Sequence, residues 1–461
     1  MLDVKSPFDG SLIKQIPLAD VHDVEKALTV ADKLFRNQAE WIPPHQRIEI
    51  LERTAELIKS RVEELTNLAA SEGGKPYNDS KVEVLRAING VKLAAEYIGQ
   101  IKGEQIPMGL TPASENRIAF TTREPIGVVV SISAFNHPLN LAVHQVATAI
   151  AAGCPVIIKP ASTTPLSALN FGELLAEAGL PSGWCQVIVC KTGLAQKLVT
   201  DNRVSYLSFI GSADVGWKLK SKLSPGTHCA LEHGGSAPVI VEKDAAFDQM
   251  LPALIKGGFY HAGQVCVSVQ RVFVHQEIVS NFSEQFTALA KQLVVGNQME
   301  KSTEVGPLIS EYELERVEQW VREAVEEGAE LLCGGKRLSN TTYAPTVLLN
   351  PSSESKVSKL EVFGPVVCIY SFSDRNEAIS KANSLDLHFQ ASVFTQQLDI
   401  ALETVKKLNA ATVMVNDHTA FRVDWMPFGG RDASGIGVGG IPYSINEMTR
   451  DKLMVIKSDA L

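Results

Sequence analysis

The sequence predicts an α/β protein in which a doubly wound parallel sheet is followed by a second α/β unit. Three observations lead there. Short apolar runs alternate with helical patterns between Ile126 and Gly235, and a second alternation of the same kind runs on to Asn416. The chain of 461 residues also exceeds what one hydrophobic core of ordinary size requires.

Upstream of the first sheet, Leu51, Ala55, Ile58, Val62 and Leu65 recur at steps of four and three. This predicts one amphipathic helix over Pro44 to Gly73, stopped by Gly73 and Gly74. A second helical pattern covers Val84 to Ile98, and Gly103 to Glu115 is a polar connection containing proline. The strands expected in the first sheet are Val128–Ile132, Val156–Ile158, Val187–Val189, Tyr206–Phe209 and Cys229–Leu231. Helices are expected between them near Leu139–Ala152, Pro165–Ala178, Leu194–Thr200 and Val215–Lys222. Helical crossovers make such a sheet parallel, and its ligands collect beyond the carboxyl ends of the strands. The second unit is expected to use Ala237–Glu242, Val272–Val274, Thr346–Leu349, Val366–Phe372, Ser392–Thr395 and Val413–Asn416. Two strand-like runs, Arg117–Thr122 and Lys452–Ile456, fit neither sheet. Unpaired strands seek partners, and the partner expected for these is another subunit.

Composition excludes several function classes. Hydrophobic residues at 45% and charged residues at 21% are ordinary for a globular chain. A net charge of −9, with no dense Lys/Arg stripe, argues against nucleic acid as a partner. The longest apolar stretches, such as Ile126 to Ala134, fall far short of the roughly 20 residues of a membrane span. Met1 to Ala19 carries Asp3, Lys5, Asp9 and Lys14 and does not read as a signal peptide, so a cytoplasmic setting is expected. The seven cysteines are odd in number, scattered and without CxxC spacing, so neither a metal site nor a disulfide framework is expected.

Four short segments carry chemistry or binding. Gly263-Gln264-Val265-Cys266 puts a thiol after a glycine-containing turn, at the start of an apolar helix or strand pattern. Alone, such a cysteine reads as a small buried hydrophobe. Leu231-Glu232-His233-Gly234-Gly235 sets a carboxylate at a strand end, where burial would raise its pKa and make it a base. Ser133-Ala134-Phe135-Asn136-His137-Pro138 ends the first strand. Asn136 there is either the cap of the following helix or an amide donor for an oxyanion. Phe209 to Gly216 follows a strand and opens a helix, so Gly211, Ser212 and Gly216 could receive a pyrophosphate, although the spacing is not GxGxxG.

Taken together, the Asn of FNHP, the Glu of E-x-G-G, the Cys of GQxC and the later Glu361-Val362-Phe363-Gly364-Pro365 resemble, in that order, the aldehyde dehydrogenase superfamily. The resemblance covers nearly the whole chain. It implies a cofactor domain over 1–103 and 125–233, a catalytic domain over 234–432, and a small β oligomerisation flap from 104–124 and 433–461. A homodimer or homotetramer follows. It further implies Cys266 as covalent nucleophile, Asn136 with the Cys266 amide as oxyanion donors, and Glu232 as the base for the hydrolytic water. The cofactor is implied to be NADP or NAD, with Lys159 at the adenosine ribose and Glu361 and Phe363 at the nicotinamide end. NAD-selective relatives carry a glutamate three positions after that lysine; Ser162 stands here, so NADP acceptance is expected.

The substrate is implied to be a small aldehyde, short and oxygenated or anionic. The chain resembles most the lactaldehyde, phosphonoacetaldehyde and non-phosphorylating glyceraldehyde-phosphate branch, in which Arg86, His137 and Arg422 would reach the substrate. The phosphonate subgroup carries an arginine just before the cysteine, where this chain has Val265. Two alternatives stand beside this reading: a CoA-acylating semialdehyde dehydrogenase, whose members generally lack the glutamate found at Glu232, and a catalytically silent nucleotide-binding homologue.

Overall fold

Five parallel strands form the centre of the first sheet in the computed structural model, which describes residues 1–461. Their spatial order is His228–Glu232, Val204–Ile210, Val128–Ile132, Val156–Lys159 and Cys185–Val187, with Gly435–Ile436 added antiparallel at the first edge. The chain starts in the middle at Val128–Ile132, winds outward on one side, and returns at Val204–Ile210 on the other. That reversal is the switch point at which α/β sheets open a crevice, and the loops holding Asn136 and Ser212 leave from its two strands. Val, Ile and Leu dominate these strands because both faces are covered by helices.

The second sheet has seven strands in the order Glu330–Cys333, Thr346–Leu349, Val366–Phe372, Arg271–His275, Pro238–Val241, Gln390–Phe394 and Thr412–Val415. All neighbours are parallel except the first pair. Separate hydrophobic clusters of 38 and 33 buried residues accompany the two sheets, so each has a core of comparable size. No helix is long and apolar enough to cross a membrane.

Two expectations change. The stretch Pro44 to Gly73 is two helices, Pro44–Ser60 and Val62–Gly73, broken at Arg61 (φ −118°, ψ 25°). The apolar period runs through the break because Ile58 and Leu65 both still face the core, so periodicity alone cannot register it. The two orphan strands pair with each other: Thr449–Lys457 runs antiparallel to Arg117–Pro125 from Thr449↔Pro125 to Lys457↔Arg117, with Gln105–Ile106 beyond. Partners more than 300 residues apart are invisible to a local reading. Past residue 433, Gly435–Ile436 joins the first sheet and the helix Ile441–Glu447 buries Ile441 and Ile445 in its core. Finally, the sequence reading passed over a helix at Val21–Arg36, although Asp20 and Asp23 form a reciprocal capping box at its start.

Candidate active site

Cys266 lies in a loop before the strand Arg271–His275, not in a helix or strand of its own. The turn that delivers it is sharp: His261, Ala262 and Gly263 in succession adopt left-handed backbone, with φ of 50°, 53° and 71°. Only glycine fits the third position, because a Cβ on Gly263 would stand 2.0 Å from the Gly364 carbonyl oxygen. The nucleophile turn is thereby seated on the Glu361–Pro365 segment. Ala237 (φ 34°) and Phe363 (φ 47°) add two more strained residues nearby, and such strain collects where surrounding structure holds a functional geometry.

Asn136 meets this turn from the first sheet. Its Nδ2 donates to the Gln264 carbonyl at 2.9 Å, and its Oδ1 is buried without a partner. The helix cap is His137, not Asn136, with Pro138 at the first helical position. One of the two Asn136 N–H bonds therefore points away from the helix into the nucleophile turn, and the other is free for a reacting oxygen. The loop is pinned from below by residues that sequence reasoning missed. Lys75, itself buried and ion-paired with buried Glu83, donates to the Asn136 carbonyl at 3.1 Å. Glu83 in turn accepts from the Leu139 and Asn140 amides at 2.9 and 3.0 Å. In the sequence they are only a Lys and a Glu eight residues apart in the helical lead-in, and nothing local marks them as buried.

Glu232 closes the strand next to Ile210, and its carbonyl accepts from the Gly211 amide at 3.1 Å. Its carboxylate packs over Gly439, where a Cβ would stand 2.2 Å from Oε1. Burial pushes the Glu232 carboxyl up to about 7; the Arg422 guanidinium opposes the rise and the Glu447 carboxylate adds to it. The Cys266 thiol is pushed up to about 12, first by burial and then by Glu361 and Glu232, with Arg422 again opposing. At neutral pH the resting centre is thus a protonated thiol beside an acid near its midpoint. The loop of Cys266 packs against the glycines after Glu232, with the Cys266 carbonyl oxygen 3.7 Å from where a Cβ on Gly235 would stand.

Beyond this centre lie groups suited to a dinucleotide. Ser212 is the N-terminal cap of the helix Ala213–Lys220, yet its hydroxyl makes no capping bond, which leaves hydroxyl and amides available to an anion. Gly216 lies one turn in, beneath the His233 ring, which is itself fixed by the Gly211 carbonyl at 3.0 Å. Lys159 ends its strand with Nζ 3.5 Å from Ser162 Oγ. Glu361 reaches over Gly234 with Oε1 buried and unpartnered, and burial raises it to about 8. Phe363 stands edge-on to Phe135, ring centroids 5.9 Å apart. An orphaned carboxylate wants hydroxyl donors, and an uncapped helix start wants an anion; ribose and pyrophosphate supply both.

On the opposite side, Asp424 holds Arg86 directly, and Arg422 is linked to it through His144. Arg86 Nη2 and Nε donate to Asp424 at 2.7 and 3.3 Å, while Arg422 lies 3.5 Å above the Phe428 ring. His137 is bonded to Tyr260, Nε2 to Oη 3.0 Å. The structure thus gathers Asn136, Glu232, Cys266 and Arg422 at one centre. Lys159, Ser162, Gly211, Ser212 and Gly216 lie along the carboxyl edge of the first sheet.

The chain is similar to known proteins along nearly its whole length. Residues 1–454 match the model of the aldehyde dehydrogenase family. The chain is 40% identical to the 3-sulfolactaldehyde dehydrogenase of Priestia aryabhattai over 99% of its own length and 94% of that protein. It superposes with a TM-score of 0.96, at 36% identity, on aldehyde dehydrogenase 21 from Physcomitrella patens in complex with the reaction product succinate, covering 99% and 95% of the two chains. On the glyceraldehyde-3-phosphate dehydrogenase of Methanocaldococcus jannaschii complexed with NADP the score is 0.94, at 36% identity and 99% coverage of both.

Proposed function

We propose, since this chain belongs to the aldehyde dehydrogenase family and is an NAD(P)-dependent oxidoreductase acting on aldehydes, that it converts a short anionic aldehyde to its acid through a thioester on Cys266. The observation that carries this reading is a pair of guanidiniums at the crevice: Arg86 is paired with buried Asp424, and Arg422, close enough to Cys266 to oppose the rise of its thiol, reaches the His144 ring that bonds the same carboxylate.

The chemistry follows from the groups present. Cys266 Sγ, as the thiolate left once its proton has passed to solvent, attacks the carbonyl carbon, and the oxyanion accepts from Asn136 Nδ2 and the Cys266 amide. When bound, the oxidised nicotinamide brings a positive charge that favours the thiolate and accepts the hydride from the substrate carbon. The remaining thioester is hydrolysed by a water that Glu232 deprotonates. Lys159, Ser162, Gly211, Ser212, Gly216, Glu361 and Phe363 would hold the dinucleotide, with His137 at the substrate end of the loop. Residues 1–103 and 125–233 form the cofactor domain in this reading, and 234–432 the catalytic domain. The exposed outer strand, with Leu453, Met454, Val455 and Ile456 each 45–56% exposed, supports assembly into a homodimer or homotetramer. A cytoplasmic setting rests on seven thiols without pairing spacing.

The direct test is a panel of small aldehydes with both cofactors, followed at the reduced nicotinamide absorbance, with no CoA added. Short aldehydes bearing a carboxylate or sulfonate are expected to outperform alkyl aldehydes of equal length. Turnover that requires CoA would overturn the hydrolytic reading. Arg86→Ala is expected to raise KM for the anionic substrates about ten- to a hundredfold, the scale of a charge-assisted contact, and to leave neutral ones unaffected. An unchanged KM would remove Arg86 from the substrate site.

Cofactor choice gives a separate prediction. Ser162 offers a hydroxyl next to the Lys159 ammonium, a pairing that tolerates a 2′-phosphate. Ser162→Glu is expected to lower kcat/KM for NADP by about tenfold or more, through like-charge repulsion, while NAD turnover persists. Turnover of the unsubstituted enzyme with NAD alone would defeat this account.

A further inference from the structure

We infer that Asp424 and His144 are positioning residues that set the preference for an anionic substrate, by aligning Arg86 directly and Arg422 through the imidazole. The inference rests on the proposed role of the two arginines. Asp424 is 2% exposed and accepts from three side chains on two helices: Arg86 on Tyr77–Tyr97, and Asn140 and His144 on Pro138–Ala152. His144 Nε2 stands 2.8 Å from Asp424 Oδ1, and its other ring nitrogen is 3.4 Å from Arg422 Nη2.

These contacts fix the imidazole's tautomer. Asp424 and Arg422 offer it an acceptor and a donor respectively, so Nε2 carries the proton and Nδ1 presents its lone pair to the guanidinium. Burial and the nearby Arg422 push His144 down to about 4, which keeps it in this neutral, two-way form across the physiological range. A protonated ring would lose the lone pair that Arg422 uses.

Charge counting gives the consequence. Around Asp424, two guanidiniums against one carboxylate leave one positive charge for one anionic group on the substrate, and the Glu232 carboxylate near Arg422 offsets part of it when ionised. The planar Arg86 fork is held by its Nε and Nη2 edge, so its Nη1 remains free to turn toward that group. Arg422 is held flat by the Phe428 ring beneath it. Without Asp424 the same arginines would be present but unaligned, and a guanidinium that must be ordered by the substrate itself binds more weakly.

The test compares Asp424→Asn, His144→Phe, Arg86→Ala and the double variant Arg86→Ala/Asp424→Asn, each assayed with 4-oxobutanoate as anionic probe and propanal as neutral probe. Asp424→Asn is expected to lower the ratio of kcat/KM for the anionic over the neutral probe by about ten- to a hundredfold, mostly through KM. Propanal kcat should stay within about threefold of the parent. His144→Phe should lower the same ratio less, because only Arg422 is released. In the Arg86→Ala background the Asp424 substitution should have a smaller effect than alone, as positioning through Arg86 requires.

An Asp424→Asn ratio equal to the parent's, with Arg86→Ala lowering it, overturns the inference and leaves the substrate reading intact. A ratio that Arg86→Ala and a further variant, Arg422→Ala, both leave unchanged overturns the substrate reading itself. Should Asp424→Asn fail to fold, His144→Phe decides alone, and an unchanged ratio there overturns the inference.

Discussion

Replacing Cys266 with alanine is expected to lower kcat/KM for aldehyde oxidation by about 10⁴-fold or more. An aldehyde carbon gives up hydride readily only after a nucleophile has added to it and placed negative charge on the oxygen. In the crevice described here the sulfur is the group the strained turn of His261 to Gly263 delivers, and the donors aimed at the developing oxyanion belong to that turn and to Asn136. Alanine keeps the turn, since the residue fills little space and Val265 and Val267 on either side remain buried. Cofactor affinity should therefore be preserved, and nicotinamide fluorescence titration checks that the variant is folded and loaded. Activity within tenfold of the parent would show that the thiol is not the nucleophile.

Much of this centre is legible in the chain because its parts sit at strand ends, and strand ends are what apolar runs mark. Val128–Ile132 points to Asn136, Val204–Ile210 to Gly211 and Ser212, and His228–Glu232 to Glu232 itself. The parallel order of the first sheet followed from the alternation with helices for the same reason. What stayed hidden is non-local. The pairing of Thr449–Lys457 with Arg117–Pro125 joins segments from opposite ends of the chain, and each reads alone as an orphan. Asp424 is hidden differently. An Asp two residues after an Arg reads as surface charge, and only burial beside Arg86 and His144, from helices far upstream, makes it an anchor. Lys75 and Glu83 belong to the same class: charged residues in a helical lead-in whose meaning comes from the loop they support.

Glu232→Gln is expected to separate the two halves of the reaction. If Glu232 serves chiefly the water, mixing enzyme with excess aldehyde and cofactor should give a burst of about one equivalent of reduced nicotinamide per site. A steady rate lower than the parent's by about 10²- to 10⁴-fold should follow, the usual contribution of a general base. The stalled species is a thioester, so added hydroxylamine should release it and restore turnover, and intact-mass analysis should detect the acyl adduct on Cys266. The pH dependence has a definite sign. Only the ionised carboxylate can take a proton, and burial raises this group to about 7, so kcat in the parent enzyme should fall as pH drops through about 7 and level off above it. In Glu232→Gln that step should vanish from the residual rate. Glutamine matches the side chain in size, so its packing over Gly439 and the Arg422 guanidinium nearby stay in place, and the loss reports the missing base rather than a collapsed pocket. A linear progress curve at a rate close to the parent's would assign hydrolysis to some other group.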